Sequence, residues 1–272
     1  MTPVTFFFIL QIAGSLQHNE NKLADKEPKI TNGSPAKLGE IPYQIALYFQ
    51  GKFICGGSFV IINGNHWVIT AAHCFVYGQD PEDYIVVAGL VDVDDFTLPI
   101  PGQSRTVTKI AVHEDFNDYS DSATNDIAIL AIDYPFEINP NVSPIRLPKK
   151  RERIGNYGVV SGWGKVSESG LSSQILRKTK VLVGPNKSCE RSFPELFVAK
   201  TMICAGVHRG ECKGDSGGPL VDLKKKFLAG IVSFGEFDCT KPKHNGFYTR
   251  VSAFVNWIQK TATEIEEGIK NA

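Results

Sequence analysis

The feature that most constrains the fold is a succession of short apolar runs, which begins at Ile30 and continues to about Val251. The runs are rich in Val, Ile, Phe and Tyr, and Gly, Pro, Asn and Asp separate them. Five of these runs are 43–49 (YQIALYF), 67–70 (WVIT), 127–130 (IAIL), 157–161 (YGVVS) and 227–232 (FLAGIV). Short strands with turn residues between them are typical of β-sandwiches and β-barrels. The sequence therefore predicts an all-β domain.

Only the C-terminal end of the chain has a helical pattern. Four apolar residues recur there at the spacing of one helix face: Val251, Phe254, Val255 and Ile258. We therefore expect a helix over about 252–266. The residues from Glu264 to Ala272 are mostly polar, and we expect them to fray.

The chain before Ile30 has two parts of different character. Residues 4–13 are apolar but too few to span a bilayer as a helix, and small residues follow them, so we expect a signal peptide over 1–15. A buried N-terminal strand is the alternative, because no Lys or Arg precedes the apolar run. Residues 16–29 are polar and charged and cannot bury a core, so we expect a flexible segment. No later stretch is apolar enough for a transmembrane helix.

Charge and cysteine content restrict the class of protein further. The net charge is +0, whereas nucleic-acid-binding proteins usually carry a basic excess, so we expect no nucleic-acid partner and no membrane partner. An even number of cysteines behind a signal peptide predicts three disulfides, although their spacing leaves the pairing open. A zinc site is the alternative, but there is no Cys-x-x-Cys pair and only His73 adjoins a cysteine. We expect no metal and no cofactor.

Residues 214–219 (GDSGGP) place a serine, Ser216, among three glycines. Glycines allow the backbone to turn sharply and to approach a ligand closely, and backbone N–H groups at such a turn can stabilise an oxyanion. The string is therefore the candidate nucleophile loop. A serine hydroxyl is a poor nucleophile at neutral pH, so a nucleophilic Ser216 would also need a nearby base.

His73 and Asp126 are the candidate base and its orienting acid. His73 follows an apolar run in 70–74 (TAAHC), where a disulfide at Cys74 would fix its position. Asp126 opens the run 126–130 (DIAIL), where a buried carboxylate could hold the tautomer of an imidazole. Taken singly, the histidine could be structural and the aspartate could cap a turn. Two weaker candidates for the acid lie in a more polar loop: Asp118 and Asp121.

Together these strings resemble the chymotrypsin–trypsin family of serine peptidases, over Ile30 to about Ile258. Two further strings carry the resemblance, 161–164 (SGWG) and 246–251 (GFYTRV). The order His, Asp, Ser along the chain is also the order of that family. The resemblance implies two six-stranded antiparallel Greek-key β-barrels followed by the C-terminal helix, with the active site between the barrels.

The boundaries of these parts follow from the same resemblance. The peptidase domain would occupy 30–272, with the N-terminal barrel over about 30–143 and the C-terminal barrel over about 154–251. A connection over 144–153 contains Pro148 and four basic residues, and we expect it to be solvated.

The resemblance also assigns roles to the candidate residues. His73 would be the general base and then the general acid, Asp126 its orienting partner, and Ser216 the acylated nucleophile. The backbone N–H groups of Gly214 and Ser216 would form the oxyanion hole. The family further implies three disulfides: Cys55–Cys74, Cys189–Cys204 and Cys212–Cys239.

The Lys29–Ile30 bond separates the polar leader from the domain. The resemblance implies that a trypsin-like protease cuts this bond, which releases the propeptide 16–29 from its covalent link to the domain. The new amino group of Ile30 would then pair with Asp215 and order the oxyanion hole. The family usually begins Ile-Val-Gly-Gly, whereas this domain begins with 30–33 (ITNG), which keeps the amine and the final glycine.

The expected specificity pocket departs from the trypsin pattern. Six residues are expected to form it: Gly210, Glu211, Ser233, Phe234, Gly235 and Gly246. Gly210 stands at the pocket base, where trypsin-like members carry an aspartate, and Phe234 replaces the usual tryptophan as a flat apolar wall. The backbone of 233–235 would pair with an extended substrate by strand addition. We expect a preference for apolar or varied side chains; a trypsin-like preference through Glu211 is the alternative.

The expected partners are protein or peptide substrates, a trypsin-like activating protease, and serpins or other protein inhibitors. We expect a secreted monomer. Calcium-binding members carry acidic ligands where this chain has Leu90, so no metal is expected there. Three N-glycosylation motifs begin at Asn32, Asn141 and Asn186. Similar single-domain peptidases occur in arthropod guts, including mite allergens, which favours a digestive role. A catalytically silent homologue that binds partners through the same cleft is the alternative, although such proteins usually lose His, Asp or Ser.

Overall fold

The computed structural model describes residues 33–76, 78–94, 102–119, 122–165, 172–206, 215–235 and 245–270. The expected signal peptide, the expected propeptide and the Lys29–Ile30 bond lie outside these residues. So does the expected pair Cys212–Cys239. Within the described residues, no helix is both long enough and apolar enough to cross a bilayer.

The first barrel is closed by six antiparallel strands. In chain order they are β2 (Gln44–Phe49), β3 (Lys52–Ile62), β4 (Asn65–Thr70), β5 (Tyr84–Ala88), β6 (Gln103–Val112) and β9 (Ala128–Ile132). Their order around the barrel is β2-β3-β4-β9-β6-β5. Gln50-Gly51 and Asn63-Gly64 join the first three strands, and all four residues have positive φ, as tight hairpin turns require. Two short 3-10 helices and a small hairpin lie outside the barrel wall: Ala72–Phe75, Pro81–Asp83, and β7 (Asn117–Tyr119) with β8 (Ser122–Thr124).

The second barrel has the same number of strands. They are β10 (Tyr157–Gly162), β11 (Arg177–Val183), β12 (Met202–Gly206), β13 (Pro219–Asp222), β14 (Leu228–Gly235) and β15 (Asn245–Arg250). The order is β11-β10-β13-β14-β15-β12, and a pairing between β11 and β12 closes the barrel. The short strand β1 (Ser34–Pro35) pairs with β11, and helix α1 (Asn186–Ser192) connects β11 to β12. The predicted all-β fold with two six-stranded antiparallel barrels is confirmed.

The C-terminal helix α2 (Val251–Lys270) is longer than the predicted span of about 252–266. The expectation that the chain frays from Glu264 onward was wrong. Ala262 is buried, and Ile265 is partly buried against the core of the first barrel, so the apolar stripe continues beyond Ile258. The polar composition of the tail concealed this spacing.

The connection between the barrels, 144–153, has five exposed residues among its ten, and specific contacts also fix it in place. The guanidinium of Arg146 donates to both carboxylate oxygens of Glu152, at 3.1 Å each, and lies 4.8 Å from the ring centroid of Phe227. The backbone N–H of Arg151 donates to the carbonyl of Ser252 at 3.1 Å. These contacts hold the connection against the second barrel and the start of α2.

Candidate active site

Asp126 is fully buried between the barrels, at the turn that precedes β9. Its Oδ1 accepts the backbone N–H of His73 at 2.9 Å, and its Oδ2 lies 2.8 Å from His73 Nδ1. Ser233, on β14, donates its hydroxyl to the same Oδ2 at 2.5 Å. One carboxylate therefore fixes both the backbone and the ring of the histidine.

The ionisation of Asp126 determines the tautomer of His73. Burial alone would raise the pKa of Asp126, but the nearby imidazole of His73 and the hydrogen bonds from His73 and Ser233 outweigh burial and lower the pKa. An ionised carboxylate can only accept hydrogen bonds, so Nδ1 of His73 must carry a proton. In the neutral ring the basic nitrogen is then Nε2, which is the arrangement that a general base requires.

A disulfide fixes the segment that carries His73. The histidine belongs to the 3-10 helix that follows β4, and its side chain is 23% exposed. Cys74, the next residue, is bonded to Cys55 on β3. The two sulfurs and His73 lie close enough together to suggest a metal site, but sulfurs joined in a disulfide are not thiolate ligands. The cluster therefore does not have the chemistry of a zinc site.

The turn that carries Ser216 is docked onto the first barrel. The carbonyl of Ser216 accepts the N–H of Gly56 at 2.7 Å, across the boundary between the barrels. On the other side, Gly217 N–H donates to the carbonyl of Val232 at 2.9 Å. Gly56 follows Cys55, whose disulfide partner adjoins His73. These links bring Ser216, His73 and Asp126 to one region between the barrels.

Close docking of this turn requires glycine at position 217. The residue has φ of +75°, in the left-handed region. A Cβ there would lie 2.5 Å from the carbonyl oxygen of Gly56 and still closer to the hydroxyl of Thr70. That hydroxyl itself donates to the Gly56 carbonyl at 2.8 Å. Gly218, the next residue, is also too closely packed for a side chain. A Cβ on Gly218 would lie 2.8 Å from the carbonyl oxygen of Asp215 and 2.9 Å from that of Ser161.

Asp215 is buried, and its carboxylate points at the 161–164 string. Its Oδ1 accepts the backbone N–H of Gly164 at 2.8 Å. A Cβ on Gly164 would lie 2.5 Å from the carboxyl carbon of Asp215, and one on Gly162 would also collide with that carboxylate. Both glycines of SGWG are therefore explained by the space that Asp215 occupies.

The expected substrate-binding residues are only partly described. Ser233, Phe234 and Gly235 form the end of β14, where Gly235 pairs with Gly246 of β15. The ring of Phe234 stacks on Phe247 with centroids 4.8 Å apart. The side chain of Ser233 contacts Asp126, in addition to the backbone role expected for it. Five of the predicted functional residues lie outside the described residues: Lys29, Ile30, Gly210, Glu211 and Gly214.

Sequence reasoning missed two contributors from outside the predicted set. Thr249, on β15, donates its hydroxyl to the backbone carbonyl of Asp126 at 2.7 Å. Gln44, on β2, accepts the hydroxyl of Ser161 at 2.7 Å and so links the two barrels. Thr249 lies in the GFYTRV string, but nothing local to that string indicates its contact with Asp126.

Two of the three implied disulfides are present in the described residues. Cys55–Cys74 joins β3 to the histidine helix, and Cys189–Cys204 joins α1 to β12. Both are the pairs that the resemblance implies.

Comparison with known proteins identifies the family. The family described as Trypsin matches residues 30–258. Trypsin-1 of Astacus astacus is 39% identical over 247 residues, which cover 86% of this chain and all of that protein. Coagulation factor IX of Cavia porcellus is 36% identical, over 87% of this chain and 82% of that protein.

A solved structure supports the same assignment. Neuropsin, a serine protease of mouse brain, superimposes with a TM-score of 0.73 and is 31% identical, over 85% of this chain and 99% of the neuropsin chain. The chain belongs to the trypsin family of serine endopeptidases, which are hydrolases that act on proteins.

Proposed function

We propose that this protein is a secreted serine endopeptidase that cleaves peptide bonds through His73, Asp126 and Ser216. The observation that carries the proposal is the buried Asp126 carboxylate, which holds both the backbone N–H and Nδ1 of His73. A histidine held in this tautomer presents a basic Nε2, and Ser216 is docked in the same region.

In the proposed reaction, the Ser216 oxygen attacks the substrate carbonyl while His73 Nε2 takes the hydroxyl proton. The C–N bond then breaks, His73 returns that proton to the leaving amine, and an ester links Ser216 to the acyl group. Water then attacks the ester carbonyl while His73 Nε2 takes its proton. The bond between the acyl carbon and the Ser216 oxygen breaks, His73 returns the proton to that oxygen, and the carboxylic acid product leaves. Asp126 stays ionised and stabilises the imidazolium. The N–H groups of Gly214 and Ser216 bind the oxyanion, and losing one such donor costs about 3 kcal/mol of transition-state stabilisation.

We propose that the enzyme is made as a precursor and is activated by cleavage of Lys29–Ile30. The new Ile30 ammonium would pair with the buried carboxylate of Asp215, which offsets the cost of burying both charges. A hydrogen bond at Gly33, close to the proposed cleavage site, supports this activation. Arg177 is buried and donates to the carbonyl of Gly33 at 3.1 Å, so the chain is already anchored three residues after Ile30.

We propose that the pocket prefers apolar or varied side chains before the cut bond. Gly210 provides no carboxylate for a basic side chain, and the stacked pair of Phe234 and Phe247 supports an apolar wall. Such an enzyme would cut its own Lys29–Ile30 bond poorly and would need a separate trypsin-like activator. A peptide library cleaved only after Lys and Arg would instead assign the specificity to Glu211.

Secretion, glycosylation and a digestive role complete the proposal. The signal-like residues 1–15 and the disulfides support an oxidising compartment. Asn186 is exposed and Asn141 is partly exposed, so both remain candidate glycan sites. The expected macromolecular contacts are protein substrates and protein inhibitors such as serpins.

The test separates an active peptidase from a silent homologue that only binds partners. The purified precursor is cut with trypsin, cleavage at Lys29–Ile30 is verified by N-terminal sequencing, and a fluorophosphonate probe is added. We expect labelling that requires the cut and that is lost in Ser216→Ala. A correctly cut, folded protein that stays unlabelled would refute the peptidase proposal.

A further inference from the structure

Asp126 lies at the centre of a three-residue turn. The N–H of Ile127 donates to the carbonyl of Asn125 at 2.9 Å, so the chain reverses around the aspartate. Asn125 has φ of +54°, in the left-handed region that residues with a side chain seldom adopt. Backbone strain of this kind persists only where surrounding contacts hold it. The direction of the Asp126 carboxylate therefore depends on whatever fixes this turn.

A second turn, 113–116, lies directly after β6, and we call it the clamp turn. The N–H of Phe116 donates to the carbonyl of His113 at 2.9 Å, which closes it. The imidazole of His113 also acts inside the clamp turn, because its Nδ1 accepts the N–H of Asp115 at 3.1 Å. A ring nitrogen accepts only while it carries no proton, so the His113 ring is neutral with its proton on Nε2. The ring thereby fixes the backbone of Asp115.

The clamp turn holds both sides of Asp126. On the side before it, the side-chain amide of Asn125 donates to the carbonyl of Asp115 at 2.9 Å. On the side after it, the backbone N–H of His113 donates to the carbonyl of Ile127 at 3.1 Å. These contacts lie one residue before and one residue after the aspartate, so together they fix the backbone from which its carboxylate extends.

The C-terminal helix holds the clamp turn in place. The side chain of His113 is 10% exposed, and its ring centroid lies 4.9 Å from that of Trp257 and 5.3 Å from that of Phe254, both on α2. Nε1–H of Trp257 donates to the carboxylate of Glu114 at 2.8 Å. Burial lowers the pKa of His113 and outweighs the opposite effect of the nearby carboxylates of Glu114 and Asp115. The ring therefore stays neutral at neutral pH, and Nδ1 remains an acceptor.

We propose that His113 and Asn125 are positioning residues for Asp126, which they hold through the clamp turn. The inference rests on the proposed function, because it concerns the acid of the proposed triad. The His113 ring fixes the backbone of Asp115, and the carbonyl of Asp115 fixes Asn125. Loss of either side chain allows the strained turn to relax. The 2.8 Å contact between Asp126 Oδ2 and His73 Nδ1 would then lengthen.

The first test replaces Asn125 with glycine, which adopts positive φ freely. Asn125→Gly removes the amide that binds the carbonyl of Asp115 and keeps the backbone conformation accessible. Asn63→Gly is the matched control. Asn63 also has positive φ, at +52°, and its amide also makes one contact, with Oγ1 of Thr263 at 3.1 Å. That contact joins the hairpin between β3 and β4 to α2 and does not involve the clamp turn.

The second test replaces His113 with two residues that differ in their ability to accept a hydrogen bond. His113→Phe keeps an aromatic ring against α2 but has no acceptor, whereas His113→Asn restores an acceptor oxygen close to the position of Nδ1. His66→Phe is the control. Nδ1 of His66 also accepts a backbone N–H, that of Phe136 at 3.0 Å, and its ring centroid lies 4.9 Å from that of Phe59.

The first readout is the pKa of His73, measured by NMR of labelled histidine in the trypsin-cut protein that carries Ser216→Ala, so that no hydrolysis is needed. A carboxylate beside an imidazole stabilises the imidazolium, so an Asp126 that is less firmly held should lower this pKa. We expect a fall of about 0.5–1 in both Asn125→Gly and His113→Phe. His113→Asn and the two control variants should stay within about 0.2 of wild type.

The second readout is kcat and KM on an ester substrate, measured on the same variants with Ser216 intact. One hydrogen bond contributes roughly a two- to tenfold factor, so we expect Asn125→Gly and His113→Phe to lower kcat by up to about tenfold. KM should change by less than about threefold, because the clamp turn acts on the proposed acid. His113→Asn should recover most of the lost kcat, and both control variants should match wild type within about twofold.

An unchanged pKa of His73 in Asn125→Gly and His113→Phe would overturn the proposal. An equal fall in the two control variants would also overturn it, because the effect would then be a general loss of structure. Urea unfolding midpoints verify that each variant is folded, and Asn125→Gly alone decides the matter if His113→Phe does not fold. If the cut wild-type protein fails to hydrolyse the ester while the pKa of His73 still falls in the variants, the peptidase proposal fails and the positioning inference stands.

Discussion

Replacing Gly217 with alanine tests whether the close docking of the nucleophile turn determines activity. The new Cβ would lie 2.5 Å from the carbonyl oxygen of Gly56, whereas ordinary Cβ contacts begin at 3.4 Å. Relief therefore requires the turn to move by about 0.9 Å. A displacement of about 1 Å in a reacting group costs about 100-fold in rate, because the reactive geometry is lost.

The stability cost of the same substitution has two parts. Alanine at positive φ costs about 1–2 kcal/mol, and overpacking a filled site costs about a further 1–3 kcal/mol. Gly51→Ala is the matched control, because Gly51 has φ of +77° and nothing within 4 Å of its Cβ position. Gly51→Ala should lose only the stability that alanine at positive φ costs, and it should keep its activity.

The assay is kcat/KM on an ester substrate for the two trypsin-cut variants, with urea unfolding measured in parallel. Active-site titration corrects each rate for the fraction of competent enzyme. We expect Gly217→Ala to be about 100-fold slower than Gly51→Ala per competent site and less stable by about 1–3 kcal/mol. If the two variants agree within about threefold in rate, contact with Gly56 does not position the serine and the reasoning fails.

Three other substitutions test separate parts of the structure. Asp126→Asn should lower kcat about 10³- to 10⁴-fold in a steady-state assay, because a neutral amide no longer fixes the tautomer of the imidazole; a loss below tenfold would contradict this. Ile265→Ala should lower the free energy of unfolding by about 1–2 kcal/mol, whereas Ile269→Ala, at a position 55% exposed, should be nearly neutral in urea titrations. Glu152→Gln should destabilise the protein at pH values above about 4.5, and the difference from wild type should shrink as pH falls towards 2, because the depressed pKa of Glu152 stabilises the fold only while its carboxylate is ionised; a pH-independent difference would exclude this ion pair as the cause.

The strands could be predicted because residues adjacent to each strand in the sequence indicate where it begins or ends. The run 67–70 corresponds to β4, and 157–161 to β10, and Gly and Asn residues precede both strands, at 63–64 and 155–156. β6 was harder to recognise, because its Gln103–Val112 sequence alternates exposed and partly buried residues and contains several polar side chains. α2 extends beyond its predicted end because Ala262 and Ile265 continue the apolar stripe within a mostly polar segment, and these contacts hold the helix against the core.

Only those residues of the candidate site that lie in local sequence motifs could be predicted from the sequence. His73, Asp126 and Ser216 each lie in a short motif whose residue types suggest a chemical role for that residue. The hydroxyl contacts of Ser233 and Thr249 with Asp126 span 107 and 123 residues, and no local pattern encodes such a contact. These contacts depend on how two barrels dock, which is a property of packed surfaces rather than of any one segment.

Each barrel holds a candidate catalytic residue of the other, and this reciprocity determines how the proposed site can fail. Asp126 belongs to the first barrel but accepts hydroxyl donors from two strands of the second: Ser233 donates to its carboxylate, and Thr249 donates to its backbone carbonyl. Ser216 belongs to the second barrel but is held by the N–H of Gly56 in the first. A hydrogen bond to a charged group contributes about 1.5–3 kcal/mol, and a buried carboxylate that loses its donor keeps the desolvation cost. Separation of the barrels by even about 1 Å would therefore lengthen the hydrogen bonds that hold Asp126 and the Ser216 turn. The orientation of His73, which Asp126 fixes, would be lost at the same time. This coupling gives a physical reason for the close contact at Gly217: the glycine allows the approach at which both sets of hydrogen bonds are made at once.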